Sequence, residues 1–106
     1  MNTIERLSGG IGTVFALGAT EVVMPTGTTA YAMIVRVDAT TVDTITEIVD
    51  GVADDNDTYT WIGESLLKDD FIVFDYPVTA ITLTNATDSV MLYLAPLSDS
   101  PVIPVA

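Results

Sequence analysis

The sequence predicts an all-β domain, a compact antiparallel β-sandwich or small barrel of seven or eight strands. Two observations support this prediction. Runs rich in Thr, Val, Ile and Tyr alternate with short clusters of Gly, Asn, Asp and Pro, which is typical of many short strands joined by turns. Few stretches show the apolar spacing of a helix. Seven or eight strands within about 85 residues indicate a sandwich or barrel rather than a larger mixed fold.

The candidate strands share this composition and are bounded by turn-forming residues. They are residues 13–17, 20–24, 30–37, 41–49, 58–62, 71–76, 78–84 and 90–94. In the third of them Tyr31, Met33, Val35 and Val37 alternate with polar Arg36 and other residues. Alternating side chains point to opposite faces of a strand, so these four are expected on one face of a central strand.

Two segments carry additional signals, one for a hairpin and one for either a strand or a helix. Residues 79–84 alternate and lead through the polar stretch 85–88 into 90–94, which predicts a hairpin between the last two strands. In residues 41–52 an alternative helical spacing is also present, with Gly51 as a possible helix stop. This spacing is formed by Val42, Ile45, Ile48 or Val49, and Val52. The four threonines at positions 40, 41, 44 and 46 favour a strand, because β-branched side chains lose rotamer freedom in a helix.

The chain is expected to form one domain with two arms. Residues 1–12 read as an N-terminal arm with a Gly-rich hinge, residues 13–95 as the β-sandwich domain, and residues 96–106 as an extended C-terminal arm containing prolines. The apolar stretch 101–105 is expected to dock either on its own domain or on a neighbour. The N-terminus has no apolar core of a signal peptide, which predicts a soluble protein.

Charge and composition exclude several functions. The chain has 15 acidic and 3 basic residues, a formal net charge of -12, so nucleic acid and anionic membranes are not expected partners. It has no cysteine and no histidine, and Lys68 is its only lysine. These absences remove the commonest general base and the usual ways to activate a nucleophile. We expect no enzyme activity, no catalytic residue and no cofactor.

The acidic segment 50–57 is the densest cluster that suggests chemistry. Its weak candidates for metal ligands are Asp50, Asp54, Asp55 and Asp57, because calcium prefers several carboxylate oxygens on a flexible loop. The spacing of glycine and acid does not match an EF-hand. An acidic, solvated turn between two strands is the commoner explanation, and the metal site is left unassigned.

Trp61 lies between Thr60 and Ile62 in a strand-like run. Its default interpretation is a residue of the core or of the space between two sheets. The alternative is an exposed aromatic platform, with Tyr59, for a sugar or a protein.

Four pieces, in order along residues 37–95, resemble small structural proteins of tailed-bacteriophage virions. They are residues 38–46, an acidic turn followed by 61–67, the approach strand 76–84, and 90–93, which ends in Tyr93. The resemblance implies a capsid decoration or auxiliary protein of β-sandwich fold, whose last two strands form the closing hairpin. No catalytic residue is carried over from such proteins.

The resemblance also implies partners and a location. The chain would be made in the host cytoplasm and bind the outer capsid surface of the virion, where it would reinforce subunit contacts. Its expected partners are the major capsid protein and copies of itself, as a trimer or at symmetry-related sites. The alternative functions are a carbohydrate- or receptor-binding module and a head-to-tail or tail structural component, since a fold does not fix a function.

Overall fold

A computed structural model of the chain describes residues 12–96, and both predicted arms fall almost wholly outside this range. The described residues form seven antiparallel strands and no helix, which confirms the predicted all-β class. The strands are β1 (Thr13–Leu17), β2 (Val22–Val23), β3 (Thr28–Val35), β4 (Val42–Val49), β5 (Val52–Asn56), β6 (Phe71–Leu83) and β7 (Ser89–Pro96).

The strands pair in the order β1-β7-β3-β6-β4-β5, and β2 pairs separately with β6. Strand β6 joins two halves of this sheet. One half contains β1, β7 and β3, and the other contains β4 and β5. The first residues of β6 pair with β3 and its last residues pair with β4. The β3 register jumps from Ala30 opposite Val78 to Ala32 opposite Val73, so extra residues of β6 bulge out between them. Pro77 lies in this bulge and has no partner in either ladder, so its missing N–H costs no ladder bond.

One apolar core joins the two halves of the sheet. Alternate residues of β7 point into it, so Val90, Leu92 and Leu94 are buried. Met33 and Val35 of β3 lie in the same cluster as Ile45 of β4. The whole buried cluster consists of Ala16, Met24, Ala30, Met33, Val35, Val42, Ile45, Leu66, Phe74, Val78, Ile81, Leu83, Val90, Leu92 and Leu94. Sharing a core across two halves is the packing expected of a β-sandwich.

The predicted hairpin between the last two strands is wrong. Strand β7 lies between β1 and β3 and has no ladder with β6. Residues 84–88 instead carry the chain from the β4 half to the β1 half. Asp88 fixes this crossing, because its Oδ2 accepts hydrogen bonds from the main-chain N–H groups of Thr41 (3.1 Å) and Asn85 (2.9 Å). Asp88 is 3% exposed, and its carboxylate is satisfied by these donors.

The hairpin that does form joins β4 and β5. Asp50 and Gly51 have φ angles of 52° and 81°, and Val49 is paired with Val52 on either side of them. Two successive positive φ angles define the type I′ turn that favours Asp-Gly. The segment 41–49 is a strand, as the threonines predicted. Most of the acidic segment 50–57 is also a strand, which corrects the prediction of an acidic turn.

Other predicted strands change in extent. The segment 58–62 is a turn, because Asn56 Oδ1 accepts hydrogen bonds from the N–H and the hydroxyl of Thr58, both at 2.7 Å. Segments 71–76 and 78–84 are one strand, and the predicted strand 20–24 is reduced to the two residues of β2.

Strand β3 is central, as predicted. Its register shifts between Ala30 and Ala32, so Tyr31 does not share the core face with Met33, and Val37 lies beyond the strand end.

Candidate interaction surface

Four strands expose an apolar row on the face opposite the core. The pairing registers place Phe15 of β1 beside Met91 of β7, Met91 beside Ile34 of β3, and Ile34 beside Phe71 of β6. These residues alternate along their strands with the buried ones, so their side chains point away from the core. The next row contains Thr13, Tyr93, Ala32 and Val73. We call Phe15, Leu17, Tyr31, Ile34, Phe71, Val73, Met91 and Tyr93 the outer face.

The outer face exposes large apolar side chains to solvent. Phe15 is 48% exposed, Phe71 56%, and Leu17 and Val73 each 64%. Single exposed apolar residues are ordinary on a protein surface, but neighbours in a continuous patch mark an interaction site. The pairing registers show that Phe15 and Phe71 end one cross-strand row, so the patch is continuous.

Aromatic contacts organise the outer face. The Tyr93 ring lies 6.3 Å from that of Tyr31 and 5.9 Å from that of Phe71, both in tilted arrangements. This cluster covers Ala32, which is fully buried although it lies outside the core cluster. At the other end of the row, the Arg36 guanidinium carbon lies 4.8 Å from the centre of the Phe15 ring, a cation–π contact.

The composition of the outer face matches the centre of a protein interface. Phe, Tyr, Met and Arg are enriched at such centres, whereas Asp and Glu are depleted. The outer face contains two Phe, two Tyr and Met91 beside Leu17, Ile34 and Val73, and Arg36 lies against Phe15. An exposed apolar patch on a chain of net charge -12 is a candidate interaction surface.

Strand β1 leaves one side of its backbone unpaired among residues 12–96. The Gly12 carbonyl accepts from the Leu94 N–H and the Gly18 N–H donates to the Asp88 carbonyl, each at 3.0 Å. In an antiparallel ladder such hydrogen-bonded positions alternate with positions whose groups point the other way. Thr13, Phe15 and Leu17 therefore direct their N–H and C=O groups outward. We call this side of β1 the open edge.

Strand β5 ends the opposite side of the sheet and carries the acidic residues of the predicted metal segment. Asp54 and Asp55 are adjacent on it, so their side chains point to opposite faces, and Asp55 accepts a hydrogen bond from the Thr46 hydroxyl at 2.7 Å. Asp50 lies in the turn and Asp57 follows the strand. We call residues 50–57 the acidic edge.

No group of three acidic side chains suited to a metal ion occurs in the part of the chain that the structure describes. The strand conformation separates Asp50, Asp54, Asp55 and Asp57 instead of wrapping them around one point. The cation site thus stays a sequence prediction. A melting temperature unchanged by a chelator would exclude a structural calcium ion there.

A buried carboxylate lies beneath the acidic edge. Glu47 of β4 is 2% exposed. Its Oε1 accepts a hydrogen bond from the Asn56 side-chain amide at 2.9 Å, and its Oε2 accepts one from the Tyr59 hydroxyl at 2.8 Å. A register shift between Thr46 and Glu47 turns this side chain inward opposite Val78. The pair of bonds fixes β5 and the following turn to β4.

Tyr59 is held in its neutral form by this arrangement. Burial raises the pKa of Tyr59 to about 12, and the hydrogen bond to Glu47 and the charges of Glu47 and Asp75 add to the effect. Each of these causes disfavours a negative phenolate. The hydroxyl therefore acts as a hydrogen-bond donor within the fold.

Trp61 is partly buried and packs against the core. Its ring stacks on Tyr59 at 5.7 Å with an interplanar angle of 9°, and it lies 5.9 Å from the Phe74 ring. Tyr59 and Trp61, the two residues of the alternative sugar platform, therefore pack against each other, and Trp61 also packs against Phe74. This arrangement has the features of a core extension, and the sequence placed Trp61 in a strand where the structure has a turn.

The outer face was missed by the sequence reasoning, although a signal for it exists. Residues 14–17, 71–74 and 90–94 are continuous apolar runs. An antiparallel strand with one solvated face normally alternates apolar and polar residues. Three continuous runs in an antiparallel domain therefore indicate that both faces of that part of the sheet are apolar.

None of residues 12–96 lies in a helix of the length and apolarity needed to cross a bilayer. Comparisons with protein-family models, with curated proteins and with solved structures found no match to this chain.

Proposed function

We propose that this chain is a virion structural protein, a capsid decoration protein that docks through its outer face on the outer surface of the major capsid protein. The observation that carries the proposal is the continuous apolar row from Phe15 to Phe71, exposed on a strongly acidic domain. Burying one such aromatic side chain contributes about 1.5 to 3 kcal/mol. A row of them supplies the centre of a stable interface.

The chemistry of the outer face defines the partner surface it fits. Its apolar side chains require an apolar patch of similar extent. Arg36, already stacked on Phe15, presents a guanidinium at the border of the row and fits a carboxylate or carbonyl oxygen on the capsid protein. Strand β1, which carries Phe15 and Leu17 of the outer face, has no charged residue.

A role in assembly rather than catalysis is consistent with the side chains available. The chain has no histidine and no cysteine. The buried Glu47 bonds to two neutral donors of its own fold, so its oxygens are engaged in structure. With the apolar side docked, the acidic edge would face solvent and discourage particles from associating with one another.

The proposal is tested by adding purified protein to particles assembled without it and measuring co-sedimentation. Phe71→Glu places a charge in the row, and we expect it to weaken binding at least tenfold, since about 1.4 kcal/mol suffices for that. Val52→Glu is the matched control, because Val52 is 65% exposed and lies on the acidic edge. It should bind like the wild type. Equal binding of all three proteins would exclude the outer face.

Particle stability gives a second test. Particles that lack the chain should disrupt at a lower temperature than decorated ones, because docking adds buried interface between neighbouring capsid subunits. Wild-type protein should restore the difference, and Phe71→Glu should not. Unchanged stability without the chain, or its recovery in purified tails rather than heads, would overturn the decoration role.

A further inference from the structure

We infer that two copies of this chain pair through their open edges, β1 against β1 in antiparallel orientation, to form a continuous sheet across a two-fold axis. Such pairing does not depend on the capsid partner. The main-chain groups of Thr13, Phe15 and Leu17 point outward from β1, the last strand on that side among residues 12–96.

The spacing of these three residues is self-complementary. In the antiparallel register centred on Phe15, Phe15 lies opposite Phe15 of the second copy, and Thr13 lies opposite Leu17 of the second copy. All three residues then occupy hydrogen-bonded positions, and each pair exchanges both main-chain bonds. A two-fold axis requires a surface that complements itself, which this register satisfies.

The two ends of the sheet are protected differently against such pairing. Natural proteins keep exposed edge strands from adding another strand by placing charged residues on them. Strand β5 has this protection in Asp54 and Asp55, whereas β1, Thr13–Leu17, has no charged residue. A second copy therefore meets like charges at β5 and none on β1.

The position of the charge also favours the β1 pair. The acidic edge is at the far end of the strand order from β1, so pairing at β1 keeps the two most acidic parts of the copies apart. The side chains of Phe15 and Leu17 would continue the outer face from one copy into the next. The paired product is one wide apolar surface with an acidic border on each side.

The pair has two members, whereas the resemblance to virion proteins implies a trimer. Sedimentation equilibrium of the full chain in the absence of particles decides between them. We expect a species of twice the 11.2 kDa chain mass, dissociating on dilution. A trimer, or a monomer at every accessible concentration, would overturn the inference.

Charge substitutions at the centre of the register test the geometry. Phe15→Asp and Phe15→Lys each place like charges directly opposite on the two-fold axis, so each variant alone should be monomeric. An equimolar mixture should form a heterodimer, because the opposite charges then face each other. Val52→Asp on the acidic edge is the control and should leave the dimer intact.

Circular dichroism of each variant separates loss of pairing from loss of folding. Phe15 is 48% exposed, so both charged variants are expected to keep the wild-type spectrum. A dimer that persists in both single variants, or a mixture that stays monomeric although both are folded, would show that the copies do not meet at β1. Rescue by mixing is a result that a purely structural role of Phe15 would not produce.

Discussion

The sheet ends in two strands of equal length and opposite character. Strands β1 and β5 each have five residues, and within residues 12–96 each pairs with one neighbouring strand. β1 exposes Phe15 and Leu17 and carries no charge, whereas β5 carries Asp54 and Asp55. The net charge of -12 is therefore unevenly distributed between these two strands. The β5 end of the strand order carries acidic side chains, and the β1 end carries exposed apolar ones.

The two ends also differ in what lies beneath them. Val14 and Ala16 of β1 pack on the apolar core. Asn56 of β5 is held to β4 by the buried Glu47, and Asp55 by the hydroxyl of Thr46. The acidic end therefore depends on hydrogen bonds that side-chain changes can remove, while the β1 end depends on apolar packing and its ladder with β7.

The largest loss in the free energy of unfolding is expected when Glu47 is replaced. Glu47→Ala leaves the Tyr59 hydroxyl and the Asn56 amide without their acceptor, which should lower the free energy of unfolding by about 2 to 4 kcal/mol. Urea denaturation measures it. Amide exchange in the variant should quicken at Asp54 and Asn56 and stay unchanged at Val14 and Ala16.

Glu47→Gln is the control for this prediction. It keeps an acceptor for Asn56 and removes a buried charge, so we expect a change below about 1 kcal/mol. Equal losses for the two variants would contradict the role given to the paired hydrogen bonds. Faster exchange at β1 as well would mean that the two ends of the sheet are not independent.

A smaller effect is expected at the turn that creates the acidic edge. Gly51 has a φ of 81°, and a methyl group added at its Cα would meet open space, so Gly51→Ala has only a conformational cost. We expect a loss of about 1 kcal/mol in the free energy of unfolding.

Asp50→Asn should be close to neutral by the same measurement, because asparagine tolerates the left-handed conformation that Asp50 adopts with a φ of 52°. A Gly51→Ala protein as stable as the wild type would contradict the type I′ turn. The β1 end should be unaffected by either change, as judged by exchange at Val14.

The smallest effect concerns Tyr59 and appears only at high pH. Because folding raises the pKa of Tyr59 from 10.0 to about 12, its neutral form contributes stability that is complete below pH 10 and is lost as the pH rises toward 12. Tyrosinate absorbance should show a late titration step near pH 12. Tyr59→Phe should remove the late step. A titration curve that keeps it would assign the step to another tyrosine.

The all-β class and most of the strands were predictable, because Thr and Val runs and turn residues are local signals. Strand β5 was not predicted, because Asp54 and Asp55 are residue types that are uncommon in strands. The Asp50-Gly51 pair before it is a hairpin signal that indicates the strand. The hairpin between β6 and β7 was predicted wrongly because neighbours in sequence need not pair. The long β6 takes its partners from β3 and β4, and β7 crosses to the other half.

The interaction surface depends on tertiary information. Which side of β1 or β6 meets the core is decided by register, and the bulges at Ala30 to Ala32 and at Thr46 to Glu47 shift that register locally. They turn Tyr31 toward Tyr93 and Glu47 into the interior. Alternation in the sequence does not reveal a bulge, so neither placement was predicted.

Amide hydrogen exchange as a function of protein concentration shows whether the β1 end of the sheet accepts a second strand and the β5 end does not. Thr13, Phe15 and Leu17 direct their N–H groups outward at β1, and the register at the β5 hairpin directs those of Ala53 and Asp55 outward at the other end. We predict that protection of the first three rises with concentration and that Ala53 and Asp55 stay unprotected. Concentration-independent exchange at β1, or equal protection at both ends, would contradict the account.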